Sequence, residues 1–208
     1  MFKKAFTLAE VLIVIAIIGT VAAITVPNLS DSYKEDNTVV KLQKFQNELQ
    51  SAQKQAIAKY GDPNFWNSNS ALECNQRYLE FLENTQSGVT FPDTTINSTS
   101  NITKAELKDG SIIGIVHGSN ICNNGNGDVY IATDGKNSSV KGKNIFKFTL
   151  NLSQGTVIPA GRGADRAGNN NISLSDNIMG TNWAITNGNL DYLKCAASLN
   201  WETKTSCD

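Results

Sequence analysis

Glu10 is a carboxylate set among residues 6–26, whose other side chains are all apolar or small. An ionised group at membrane depth costs on the order of a few kcal/mol, and less near the interface. A charge in such a place suggests that it meets a cation supplied by a partner. The remaining reactive groups are four thiols, Cys74, Cys122, Cys195 and Cys207, and one imidazole, His117. An even set of cysteines in a chain that looks exported predicts disulfides. Zinc is not expected, because no two cysteines stand two to four residues apart and the chain has one histidine. Of the three possible pairings, Cys195 with Cys207 and Cys74 with Cys122 is favoured, since the first closes a short local loop. Nothing accompanies His117 to make it a catalytic base. The run Asn123-Asn124-Gly125-Asn126-Gly127-Asp128 offers one carboxylate where a calcium loop needs several. Residues 161–168 lack the Gly-Lys-Ser/Thr ending of a phosphate loop and read as a mobile turn. The expectation is therefore no catalytic residue, no metal and no cofactor.

These groups are carried by a very uneven chain of 208 residues, enough for one globular domain with an appendage. The net charge of −1, from 18 basic and 19 acidic side chains, gives no electrostatic reason to expect nucleic acid. Lys3 and Lys4 precede the apolar stretch, which as a helix reaches roughly 31 Å, about one hydrocarbon thickness. The lysines favour a cytoplasmic amino terminus with the remainder exported. A cleaved secretory signal fits the same pattern, with Val21-Ala22-Ala23 offering small residues to a signal peptidase. Glu10 argues against it, because a discarded segment has no use for a costly charge.

The run Lys3-Lys4-Ala5-Phe6-Thr7-Leu8-Ala9-Glu10-Val11-Leu12-Ile13 resembles the processing and methylation signature of type IV prepilins and type II secretion pseudopilins. The resemblance implies that a prepilin peptidase cuts between Ala5 and Phe6, and that Phe6 becomes the N-methylated first residue. It also implies that Glu10 pairs with the terminal amine of a neighbouring subunit, and that Gly19 and Pro27 are the residues that loosen or kink the helix. Ala5 stands where that family most often has Gly. A C-terminal region bounded by Cys195 and Cys207 is likewise similar to that of many type IV pilins. The implied partners are sister subunits, the peptidase, an inner-membrane assembly platform and the membrane itself.

Beyond Pro27, which would kink or interrupt a helix, Val40, Leu42, Phe45, Leu49, Ala52, Ala56 and Ile57 recur at helical spacing, with Gln53 and several lysines off the stripe. Gly61-Asp62-Pro63 ends this helix. The expected organisation is a leader over 1–5, a membrane or filament-core segment over 6–27 and an amphipathic half over 28–61. A head over 62–208 follows, with a connecting loop over 62–105, a sheet over 106–159 and a disulfide-bounded region over 160–208. The connecting stretch holds a helical patch over 70–83. Strands are expected over 111–117, 128–133, 145–152 and 156–159, and residues 134–146 loosely match a turn-and-strand pattern of pilin-like proteins. The fold class is α+β: a long helix laid on a small antiparallel sheet. The expected function is a structural subunit of a type IV pilus-like filament, held first in the bacterial inner membrane. A type II secretion pseudopilin and a secreted binding domain with a discarded signal peptide are the alternatives.

Overall fold

The computed structural model describes residues 7–63, 66, 71–116, 126–151, 155–161 and 180–207, with the side chains of 26–31, 71 and 126 left aside. The chain divides into two compact units, Met1–Asn37 and Thr38–Asp208. The division falls inside α1, Leu8–Tyr60, a helix of 53 residues that is not broken at Gly19 or Pro27. In the first unit α1 is apolar from Leu8 to Thr25, and none of that stretch is buried.

The second unit has α2 (Ala71–Leu79), α3 (Thr94–Asn97), α4 (Thr181–Asn187) and α5 (Tyr192–Cys195) around a six-stranded sheet. Its strands are β1 (Asn84–Ser87), β2 (Ile102–Leu107), β3 (Ile112–Val116), β4 (Asn126–Ala132), β5 (Ile145–Asn151) and β6 (Thr156–Pro159). They follow one another across the sheet in chain order, every neighbouring pair antiparallel. The architecture is α+β, a long apolar N-terminal helix with an antiparallel sheet and several further helices, as expected of a pilin-like fold.

Period-two alternation decides which residues face the helix. Ile113 and Ile115, Val129 and Ile131, and Phe146, Phe148 and Leu150 point to one face and form the main core with Val39, Leu42, Phe45, Leu49, Ala52 and Ala56 of α1. Spacings of three and four put these α1 residues on a single stripe, and each large one contributes about 1.5–3 kcal/mol by leaving water. Phe45 meets Phe148 edge to face at 5.4 Å between ring centres. On the other face Ile112, Ala132 and Ile145 are covered by Val89, Phe91 and Ile96.

The sheet differs from the sequence reading at its leading edge. β1 and most of β2 lie in the stretch read as a connecting loop over 62–105, so the sheet begins at Asn84. The physical reason is weak patterning. β1 is Asn-Thr-Gln-Ser and largely exposed, while β2 buries only Ala105 and Leu107. Such strands form because a neighbour offers its backbone, not because they carry an apolar face. A second correction concerns α1: Val39 is buried and Val40 is exposed, while Gln53, read as off the stripe, is fully buried.

Polar anchors fix the helix on the sheet. The Gln50 amide donates to Gly155 O (2.8 Å) and accepts from Val157 N (2.9 Å), covering the edge strand β6. Gln53 Nε2 donates to Asn151 O at 3.2 Å and Lys41 Nζ to Thr133 O at 2.7 Å. The far end of α1 is tied to α2. Glu80 accepts from Lys59 and Tyr60, and the Arg77 guanidinium lies over the Tyr60 and Trp66 rings at 5.0 and 5.2 Å. Those hydrogen bonds from Lys59 and Tyr60 hold the Glu80 carboxyl below its ordinary range.

Candidate functional site

Two places carry the groups singled out by the sequence: the start of α1 and the C-terminal region. At the start, Thr7 is the last residue before the helix and Glu10 sits in its first turn. Glu10 N donates to Thr7 Oγ1 (3.2 Å), while Thr7 N and Thr7 Oγ1 both donate to Glu10 Oε2 at 2.8 Å. This reciprocal exchange is a capping box, in which two backbone donors orphaned at a helix terminus are satisfied by side chains. The Thr-x-x-Glu spacing announces it, yet the sequence reading used Glu10 only as a charge and passed over Thr7. The box turns the carboxylate toward the amino-terminal end of the helix and engages one of its two oxygens.

Ala5 and Phe6 lie outside the described residues. Downstream, the large apolar side chains from Leu8 to Ile24 are 45% to 80% exposed, so this unit buries none of them against itself. Gly19 sits in the same stretch, and a Cβ built there meets nothing within 4 Å. Among the described residues nothing gives a steric reason for glycine there. At Pro27 the backbone continues as helix.

In the C-terminal region Cys195 is bonded to Cys207, their Cα atoms 6.0 Å apart. Cys74 is also disulfide-bonded, and Cys122 lies outside the described residues. The enclosed loop is organised by amides and carboxylates close in sequence. Asp191 Oδ2 accepts from Cys207 N (2.9 Å), and Asn189 joins Trp183 Nε1 (3.0 Å) to Thr205 O (2.9 Å). Trp201, on the loop, meets buried Trp183 edge to face at 4.9 Å. Tyr192 is buried and donates to Gly142 O, which links α5 to the β4–β5 connection. Burial pushes its phenol upward, so it stays neutral at any ordinary pH. The Asn187-Gly188 pair is the stop of α4: Gly188 has φ +70° and its N–H returns to Ala184 O.

Replacing Cys195 and Cys207 together by Ser should lower stability by about 3 kcal/mol, because a loop of roughly 13 residues regains its freedom in the unfolded chain. Urea unfolding followed by tryptophan emission reads this as an earlier midpoint. An unchanged midpoint would show that the local hydrogen bonds alone hold the region.

The β4–β5 connection is built on Asn144, whose Oδ1 accepts from Ser139 N (3.0 Å) and Val140 N (2.9 Å) and whose Nδ2 donates to Asp134 Oδ2 (3.2 Å). That is structural work, fixing the turn between two core strands. Among the described residues no group of three or more His, Cys, Asp or Glu side chains is placed to hold a metal. His117, residues 123–125 and residues 162–168 lie outside the described residues, and Asp128 is paired with Lys147 at 3.1 Å.

Residues 1–26 match the family model of the prokaryotic N-terminal methylation motif, the prepilin-type signature of type IV pilins and pseudopilins. The match supports a pilin- or pseudopilin-like protein processed at its amino terminus, and with the exposed apolar helix it fits a membrane-anchored precursor. No curated protein and no solved structure matches the chain.

Proposed function

We propose that the chain is a structural subunit of a type IV pilus-like filament. It waits in the bacterial inner membrane with its amino terminus in the cytoplasm and its head exported. Prepilin peptidase cuts between Ala5 and Phe6, Phe6 is N-methylated, and an inner-membrane platform draws the trimmed subunit into a helical assembly. One observation carries this reading: a carboxylate held by Thr7 at the start of a helix whose large apolar side chains from Leu8 to Ile24 are exposed. Such a surface has two possible surroundings, lipid and other copies of itself.

Passing from lipid to neighbouring helices gives little hydrophobic gain, because acyl chains are as apolar as Leu or Ile. Packing and polar pairing must then select the register. Glu10 facing the Phe6 amine of a neighbour is the charged contact placed to do so. Gly19, with open space around it, allows a second helix to approach closely. Pro27 removes one backbone donor and is the position where α1 can bend without losing a further bond. Cys74 with Cys122 is the second disulfide in this scheme. The bonded pair Cys195–Cys207 closing the C-terminal region favours a pilus subunit over a type II secretion pseudopilin.

The test is the amino terminus of the protein recovered from cells, read by sequencing and mass spectrometry. A start at Phe6 carrying one added methyl group is expected. A start near Ile24 would mean that the stretch is a discarded signal and the protein a secreted domain.

A further inference from the structure

Within the Met1–Asn37 unit the span of highest hydropathy is Leu8–Thr25, Val26, Pro27 and Leu29 carry the apolar character a little further, and from Ser30 the chain turns polar: Ser30, Asp31, Ser32, Lys34, Glu35, Asp36 and Asn37. One ring interrupts this polar run. Tyr33 is 71% exposed, and among the described side chains of residues 26–37 it is the sole large hydrophobic one at the surface.

Its axial place is fixed because α1 is continuous there. Eight residues separate Tyr33 from Thr25, about 12 Å at roughly 1.5 Å per residue. Centring the apolar stretch, about 27 Å long, on a hydrocarbon core of about 30 Å puts the backbone of Tyr33 about 10 Å outside that core. Helical side chains lean toward the amino terminus, here back toward the membrane. The phenol ring then falls in the headgroup layer, roughly 5–7 Å thick on each side. A tyrosine suits that layer, with an apolar ring on the oily side and a hydroxyl on the wet one.

We infer that Tyr33 is an interfacial anchor, its ring seated among phospholipid headgroups on the exported side, and that it sets the depth of α1 before assembly. The inference rests on the reading that the stretch from Leu8 to Thr25 spans the membrane. It also places the acid. Glu10 lies 23 residues from Tyr33, about 35 Å along the helix, so its backbone falls about 5 Å inside the cytoplasmic edge of the hydrocarbon. Its side chain leans outward by the same rule that turns Tyr33 inward, and the capping box points it the same way. At that depth the charge costs far less than at the bilayer centre.

The test uses the full-length precursor in phosphatidylethanolamine–phosphatidylglycerol vesicles whose acyl chains carry bromine near the headgroup or near the bilayer centre. Tyr33→Trp adds an emitter on the native baseline of Trp66, Trp183 and Trp201, and Val14→Trp serves as a reporter of the span. The added emission of Tyr33→Trp is expected to be quenched more by shallow than by deep bromine, with the opposite order for Val14→Trp. Adding Tyr33→Ser to Val14→Trp should then abolish that reporter's preference for deep bromine. If Val14→Trp is quenched by deep bromine while Tyr33→Trp responds only to aqueous iodide, the span stands and the anchor falls. If neither responds to bromine, the span reading fails and takes the anchor with it. If Tyr33→Ser leaves the depth of Val14→Trp unchanged yet blocks filaments, Tyr33 is a contact between subunits and the inference is overturned.

Discussion

Cells carrying Glu10→Ala are expected to export and cleave the protein normally and to form few or no filaments. The substitution removes two things at once. It removes the capping box with Thr7, worth about 0.5–2 kcal/mol to the helix start. In the proposed assembly it also leaves an incoming terminal amine without its carboxylate in a low-dielectric core, where breaking a buried pair costs about 3–5 kcal/mol. Glu10→Gln separates the two, because Gln serves at the third helical position of a capping box. With the cap kept and the charge gone, assembly should still fail. Normal filaments from Glu10→Gln, seen by electron microscopy beside a correctly trimmed amino terminus, would leave Glu10 a helix-capping role and remove the charged contact from the mechanism. Thr7→Val offers the converse. It loses the hydroxyl of the box but keeps the charge, so assembly should be weakened and not lost.

Phe148→Ala is expected to lower the stability of the head by about 3–5 kcal/mol, the usual cost of emptying a fully buried aromatic site. Phe148 is 0% exposed in the middle of β5, opposite Val129 of β4 and Pro159 of β6, and its ring packs on Phe45 of α1. Few neighbours can collapse into the space, because the helix and both flanking strands are held by their own ladders and by the Gln50 and Gln53 anchors. Urea unfolding of the full chain in detergent, followed through Trp66 and Trp183, should show a lower midpoint at unchanged slope. A changed slope would mean that the folded state had opened. A loss below about 1 kcal/mol, against the usual cost of such a cavity, would mean that α1 is attached to the sheet mainly by its polar anchors.

Much of the fold was legible from periodicity. The four strands from Ile112 onward lie within a residue or two of their sequence-based positions, because each carries β-branched or aromatic residues bounded by Gly or Asn. The amphipathic half of α1 was legible for the same reason, although its stripe is turned slightly toward Val39 and Gln53. What escaped was polar. β1 and β2 have little apolar alternation; β3 recruits β2, and β2 in turn recruits β1, by offering backbone groups that must be paired. Gln53 was invisible as a core residue because a side chain of its type is normally solvated. The nearby carbonyl of Asn151 gives its buried amide nitrogen a partner.

The candidate site divides in the same way. The type and order of residues 3–13 were enough to fix the processing signature, since it is a linear pattern that needs no folding to be read. The lone acid in an apolar helix was equally plain, because the cost of a carboxylate in hydrocarbon depends on its neighbours in sequence. The pairing of Cys195 with Cys207 was also expected from the short loop it closes, and the two are bonded. Geometry alone could show that Glu10 closes a ring of hydrogen bonds with Thr7, and that Asn189 and Asp191 hold the C-terminal loop. A sequence records which groups repeat along the chain and at what period. Which donor meets which acceptor across a turn or a loop is decided when the backbone has closed, so these pairings belong to the tertiary structure.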